Sequence, residues 1–320
     1  METNTGLEQL KQAVNDIKEN IGKVIIGQEE TIELLLAAIL AQGHVLIEGV
    51  PGVAKTMTAK LLAQSISVPF SRIQFTPDLM PSDVTGTSVF NPQTGQFDFR
   101  RGPIFSQIVL IDEINRSPAK TQAALFEVME ERQITFDGTR HVLPAPFIVL
   151  ATQNPVEQEG TYRLPEAQLD RFLFKIEVGY PDLNEEVKIL IQAQHNILTQ
   201  YQDIVKPVIT GAQIIELQKQ VETVHVEEKV LQYIANIVCD TRENKALYLG
   251  ASPRASIAVL RGSKAIAAMD GRNFVTPNDV QGVLQAVLAH RIILSPEKEM
   301  EGGTPKQVVK DIIQKIEVPV

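Results

Sequence analysis

Apolar positions along this chain follow two rhythms. At the start Leu7, Leu10, Val14, Ile17 and Ile21 recur every three or four residues, the spacing of one helical stripe laid on a body. Gly22 suits its C-terminal cap. Val24-Ile25-Ile26-Gly27-Gln28 leads into a second helix over about 29–41. Short apolar runs then take over, at 44–48, 71–75, 108–111, 147–152 and 174–178. Each is the length of a buried strand, and helical stretches at 57–65 and 117–132 stand between them. The alternation predicts an α/β fold: a doubly wound, mostly parallel sheet of five strands, whose ligands gather at the strand C-terminal ends.

Between the strands the pattern changes in two places. Thr87 to Phe99 reads as a hairpin turned at Asn91-Pro92-Gln93-Thr94-Gly95, with Arg100-Arg101 behind it as a solvated basic tip. Phe90, Phe97 and Phe99 make it a candidate working part. Ile134 to Leu143 reads as a second hairpin, turned by Asp137-Gly138. Pro81–Gly86 is a short turn or helix, and Ser117-Pro118 starts a helix with Ser117 as its cap. After Gly179-Tyr180-Pro181 the chain becomes almost wholly helical. Asp182 with Glu185 forms a capping box, Ser252-Pro253 and Thr276-Pro277 each start a helix, and Val308, Val309, Ile312, Ile313 and Ile316 line a last one. The expected division is a nucleotide-binding unit over 1–180 and a helical unit over 181–320.

Composition narrows the class. The 320 residues are 44% hydrophobic, enough for a sizeable core, and 30 Lys+Arg against 39 Asp+Glu leave a net charge of −9. That balance gives no general attraction to nucleic acid or anionic membrane. Cys239, the single cysteine, is expected as a small buried hydrophobe. The polar N-terminus and the lack of a bilayer-length apolar run point to a cytoplasmic protein with no membrane insertion.

The candidate chemistry begins at Gly49-Val50-Pro51-Gly52-Val53-Ala54-Lys55-Thr56, between a strand and a helix. In that context backbone N–H groups and the helix N-terminus cradle a polyphosphate. Lys55 reaches its β- and γ-phosphates, and the Thr56 hydroxyl sits on Mg2+. Ala54 stands where glycine is usual. In a left-handed conformation it would cost about 1–2 kcal/mol, so helical dihedrals are expected there. Ile108–Ile111 delivers Asp112 and Glu113 at a strand end, one acid to hold Mg2+ through water and the next to take a proton from the attacking water. The strand at 147–152 delivers Gln153-Asn154-Pro155, whose amide can position a water. Gly27, Gln28 and their apolar neighbours could wall off an adenine ring. Arg254 lies in the first turn of its helix, an unfavourable place for a cation unless an anion is near.

Taken together, the phosphate loop, Ile111-Asp112-Glu113-Ile114-Asn115-Arg116, Ala151-Thr152-Gln153-Asn154-Pro155, Leu169-Asp170-Arg171-Phe172 and Ser252-Pro253-Arg254-Ala255 resemble the signatures of the MoxR family of AAA+ ATPases across essentially the whole chain. The resemblance implies a P-loop AAA+ core followed by a small all-helical lid, with ATP and Mg2+. It makes Lys55 and Thr56 Walker A residues, Asp112 and Glu113 the Walker B pair, and Asn154 sensor one. Arg171 becomes an arginine finger given to a neighbouring subunit, and Arg254 becomes sensor two on the lid. Alanine before the lysine is typical of that family, and the two hairpins match inserts of its AAA+ branch. A ring of identical subunits, most often a hexamer, is implied, as is a von Willebrand factor A-domain protein or other client as partner. The function implied is chaperone-like remodelling or metal-cofactor insertion. A chelatase-like ATPase subunit is the nearest alternative. A nucleic-acid motor of the MCM kind fits an acidic chain less well, and a non-hydrolysing scaffold would be expected to have lost Glu113 or Arg171.

Overall fold

The structure, a computed structural model, describes residues 2–93, 95–154, 161–162, 164–195, 197 and 200–319. Thr94 of the first hairpin turn and Pro155 of the fourth strand's motif lie outside the described residues. Five parallel strands form one sheet: β1 (His44–Gly49), β2 (Phe70–Gln74), β3 (Ile108–Asp112), β4 (Ile148–Gln153) and β5 (Phe172–Val178). Their order is β2-β3-β4-β1-β5, so β1 lies between β4 and β5. Gly49, Asp112 and Gln153 therefore end three adjacent strands on one edge.

Alternation along the strands divides the interior. Val45, Ile47, Leu110 and Leu150 turn to one face, against the helices Glu2–Gly22, Glu29–Leu40 and Lys55–Ser65. Leu46, Val109, Ile111 and Val149 turn to the other, against the helix Ala119–Glu131. A side chain as buried as Leu46, 1% exposed, contributes roughly 1.5–3 kcal/mol, so burial of both strand faces sets the register.

The first of these cores does not stop at the sheet. It runs through the stripe of the first helix into the helical part of the chain, joining Leu10 and Ile17 to Ile214, Val259 and Val283. Gly262 shows how close the approach is. A Cβ there would lie 3.0 Å from Cζ of Phe174 on β5, which is why glycine occupies the middle of the helix Pro253–Met269. The helices Gly211–Glu222, Glu228–Glu243, Pro277–Leu288 and Pro305–Lys315 complete this part. Thr210, Ser252 and Thr304 accept backbone N–H groups as side-chain caps.

Three local expectations need correction. Cys239 is exposed, because the helix Glu228–Glu243 buries Tyr233, Ile234, Ile237 and Val238 on the opposite side. The helix after β3 is capped by Pro118 and not by Ser117, whose side chain is fully buried. Arg100 and Arg101 are not a tip: they pair with Thr87 and Gly86 at the base of the hairpin Gly86–Asn91/Gln96–Arg101. The outer part of the hairpin instead carries Phe90 and Phe97, 51% and 69% exposed and packed edge to face.

Candidate active site

β1 runs straight into the glycine-rich loop, and the loop into the helix Lys55–Ser65. Gly49 must be glycine, since a Cβ would meet the carbonyl oxygen of Val178 on β5 at 2.6 Å. Gly52 takes φ +91°, which glycine alone adopts without strain. Ala54 overturns the helical expectation: it is left-handed, with φ 55° and ψ 17°, and caps the helix from outside its first turn. Its carbonyl accepts the backbone N–H of Thr58 at 2.9 Å and the Thr58 hydroxyl at 3.2 Å, which hold the turn against its strain.

Lys55 folds back to donate to the carbonyl of Gly49 at 2.5 Å. Burial pushes its pKa down, and Asp112, Glu113 and Glu48 oppose that shift, so the cation stands in an acidic surrounding. Asp112, 7% exposed, accepts from the Thr152 hydroxyl on β4 at 3.1 Å and from Nε of Arg72 on β2 at 2.5 Å. Glu113 follows in a left-handed conformation, φ 57°, a strain of the kind concentrated at working sites. Its N–H donates to Thr152 Oγ1 at 3.1 Å, while its carboxylate accepts from Gln74 at 2.7 Å and pairs with Arg116 at 3.2 Å. Asn154 is buried just past the end of β4.

Beside the loop lies a cleft of about 710 Å³ lined by Ile25, Gly27, Gln28, Val53, Tyr180 and Ile189, among others. The size suits a nucleoside. Gln28 ties it to the loop, donating to the Val53 carbonyl at 2.9 Å, and its Oε1, 3.2 Å from the Thr58 hydroxyl oxygen, shares that hydroxyl's proton with the Ala54 carbonyl. Gly27, φ +73°, has the Glu185 carboxylate 2.4 Å from where a Cβ would be. Among the described residues no cluster of His, Cys, Asp and Glu forms a metal cage. Oxygen donors from Thr56 and Asp112 are the kind Mg2+ accepts when phosphate and water complete its shell.

Arg171 and Arg254 are not with these groups. Arg171 precedes β5, and both arginines line a second cleft, about 270 Å³, together with His44, Glu130, Arg261 and Arg291. His44 begins β1 and Gly49 ends it, so the strand's ~16–20 Å separates that cleft from the phosphate loop. Arg171 forms an ion pair with Glu130, and Arg254 reaches the other carboxylate oxygen at 3.2 Å. The anion that the helix N-terminus at Arg254 called for is thus, within this chain, Glu130.

Several contributors escaped the sequence reading. Arg72 and Gln74 share one face of β2 at its C-terminal end, a position that alternation and sheet topology could have flagged. Glu130 and Arg291 carry no motif, Asp170 enters one only as the neighbour of Arg171, and only the packing brings the three together.

Residues 44–174 match the ATPase family associated with various cellular activities (AAA), and residues 239–312 match the AAA lid domain. Sheet, loop and lid define an AAA+ enzyme that hydrolyses ATP. The chain is 48% identical to YeaC of Bacillus subtilis over 98% of its length and 97% of that protein. It is 40% identical to the chaperone MoxR1 of Mycobacterium tuberculosis, over 97% and 82% respectively. A crystal structure of a protein from Cytophaga hutchinsonii superposes with TM-score 0.91 at 41% identity, covering 99% and 98% of the two chains. This chain belongs to the MoxR family of AAA+ ATPases.

Proposed function

We propose that this protein is a ring-forming ATPase that remodels client proteins, each ATP being held by one subunit and completed by the arginines of the next. The observation that carries this reading is the separation of Arg171 and Arg254 from the phosphate loop of their own chain. Two arginines on the far edge of the sheet can meet a phosphate only if another subunit brings it.

Residues 1–180 form the nucleotide unit in this reading and 181–320 the lid. Loop N–H groups and Lys55 bind the phosphates, Gln28 and Gly27 border the base, and Thr56 and Asp112 hold Mg2+. Held there, Mg2+ would offset the negative charge of the phosphates. Glu113 takes the proton of a water that Asn154 orients, while Arg171 and Arg254 neutralise charge on the transferred phosphoryl group. Since phosphoryl transfer is mainly positioning and charge neutralisation, a site divided between subunits ties turnover to assembly. The exposed Phe90 and Phe97 on the first hairpin offer an apolar surface to a peptide client, while the net charge of −9 disfavours a nucleic-acid backbone. MoxR1 bears the name chaperone, and client remodelling follows it here.

The test is ATPase rate per subunit across protein concentration, for wild type, Arg171→Ala and Arg254→Ala. Specific activity should rise with concentration, and each variant should bind ATP yet lose turnover by about 10³-fold or more. Turnover independent of concentration and surviving both substitutions would sink the shared-site reading.

A further inference from the structure

Glu130 occupies the place that the shared-site reading reserves for a phosphate. One of its carboxylate oxygens pairs with Arg171 and the other with Arg254, 3.2 Å away. Neither charge is where its own helix favours it. Glu130 lies in the last turn of Ala119–Glu131, the negative end of that dipole, and Arg254 lies in the first turn of Pro253–Met269, the positive end. What balances each is the other. The cleft remains cationic all the same: Arg132, Arg171, Arg254, Arg261 and Arg291 face only Glu130 and Asp170 among its lining residues. Arg254 also depresses the pKa of Arg171, after the larger effect of burial. Two guanidinium groups have been gathered on one small anion in a cleft built to accept more negative charge.

We propose that Glu130 is a resident stand-in for the terminal phosphate of the neighbour's ATP, holding Arg171 and Arg254 together in the separate subunit and yielding them when the ring closes on nucleotide. This rests on the shared-site reading above. Glu130 is then a positioning residue that touches no substrate. It keeps two long side chains, 29% and 54% exposed, from dispersing into solvent. It also competes with the incoming phosphate, and a γ-phosphate carries more charge and more acceptor oxygens than a carboxylate. Assembly is thereby weighted toward neighbours loaded with triphosphate, since ADP has nothing with which to displace the carboxylate.

Glu130→Gln keeps the shape of the side chain and removes the competing charge. With its side chain 44% exposed, the variant is expected to fold as wild type, which a thermal melt checks. Assembly is measured by sedimentation velocity over a protein dilution series, with a non-hydrolysable ATP analogue and separately with ADP. In the ATP analogue, Glu130→Gln should assemble at roughly three- to fivefold lower concentration than wild type, the size expected for one partly exposed charge pair. In ADP the two proteins should coincide. An equal shift in both nucleotides, no shift, or a shift to higher concentration would overturn the proposal. If Glu130→Gln melts early, Glu130→Asp, too short to bridge both arginines, must show a smaller shift of the same sign. ATPase assays on Arg171→Ala separate the two failures. If that variant is inactive while Glu130→Gln shows no triphosphate-specific shift, only the stand-in falls. If Arg171→Ala turns over like wild type at every concentration, the shared site falls and the stand-in with it.

Discussion

Gln74 donates its side-chain N–H to Oε2 of Glu113 across 2.7 Å, bridging the C-terminal ends of β2 and β3. The proposed general base is thus held at the sheet edge by a neighbouring strand, with Arg116 on the same oxygen at 3.2 Å. Release from Gln74 would leave the Glu113 carboxylate less firmly positioned. Gln74→Ala is expected to change kcat by less than about tenfold, with ATP affinity unaltered. Glu113→Gln should lower kcat by about 10²–10⁴-fold, the usual contribution of a positioned base. Single-turnover hydrolysis measured beside nucleotide binding checks both. Glu113→Gln at near wild-type rates would remove Glu113 from the reaction.

Ala54 offers a gain in stability. Its left-handed backbone, φ 55°, is one that alanine adopts at a cost of about 1–2 kcal/mol. Glycine takes it freely but loses about 0.5–1 kcal/mol more entropy on folding. Ala54→Gly should therefore raise stability by about 0.5–1 kcal/mol, read as a higher urea midpoint with unchanged slope. A lowered midpoint would mean that the Ala54 methyl makes contacts worth more than its strain.

The strands, the two hairpins and the glycine-rich loop between β1 and its helix were legible in the sequence because each rests on local rules. Apolar runs mark Ile108–Asp112 and Ile148–Gln153, and Asp137-Gly138 takes the paired positive φ of a tight hairpin turn, 46° and 74°. What stayed hidden depends on distant packing. Cys239 falls in an apolar stretch, yet the helix turns it outward. Ala54 has a residue type that favours a helix, and the loop imposes otherwise. The meeting of Glu130 with Arg254 requires the lid helix to lie across the end of Ala119–Glu131, which no spacing along the chain encodes.

The two hairpins should behave as one unit. Phe99 of the first stacks on His141 of the second with ring centroids 4.3 Å apart, and lies 5.1 Å from Phe136. Aromatic pairs contribute about 0.5–1.5 kcal/mol beyond the area they bury. Phe99→Ala is expected to speed amide hydrogen exchange in residues 133–142 as well as in the first hairpin, by about tenfold, while β1 and β4 keep their protection. Acceleration confined to the first hairpin would show that the inserts move separately.

His44 gives the fold a sensitivity to mild acid. Its Nδ1 accepts the N–H of Val149 at 2.9 Å, and Nε2–H donates to the carbonyl of Met129 at 3.0 Å, so the ring is neutral. Burial pushes its pKa down to about 4; the Met129 carbonyl opposes the shift, and Arg132 and Arg261 add to it. Between the unfolded value near ~6.5 and the folded one, the unfolded chain binds a proton that the folded chain refuses. Stability should be level above that window and fall through it by about 3 kcal/mol. His290, lowered by burial and by Arg291, acts in the same direction. Urea titrations from pH 7.5 down to 4.5 should show the decline, and His44→Gln should make it shallower, leaving the part due to His290, even though it lowers stability throughout. An equally steep slope in the variant would assign the effect to other groups.

The last prediction concerns the joint between sheet and lid. Arg291, 3% exposed at its side chain, donates Nε to Asp170 at 2.8 Å and its other nitrogens to the carbonyls of Phe172, Leu173 and Val287. The second Asp170 oxygen accepts from Ser252 at 2.8 Å, and Ser252 caps the helix that carries Arg254. The Asp170 carboxylate, next to Arg171 in the chain, therefore ties the cap of the helix that carries Arg254 to a buried guanidinium. Removing a single partner from a buried pair typically costs about 3–5 kcal/mol, because the remaining charge is left uncompensated. Asp170→Asn keeps an acceptor for Ser252 and should lie near the lower end, about 3 kcal/mol, whereas Ser252→Ala should cost about 1 kcal/mol as a lost cap. ATPase activity in Asp170→Asn should fall at concentrations where the protein is still folded, since both arginines lose their support. A stability loss below about 1 kcal/mol with full activity would show that Arg291 rests on its carbonyl partners alone and that Asp170 is dispensable to the joint.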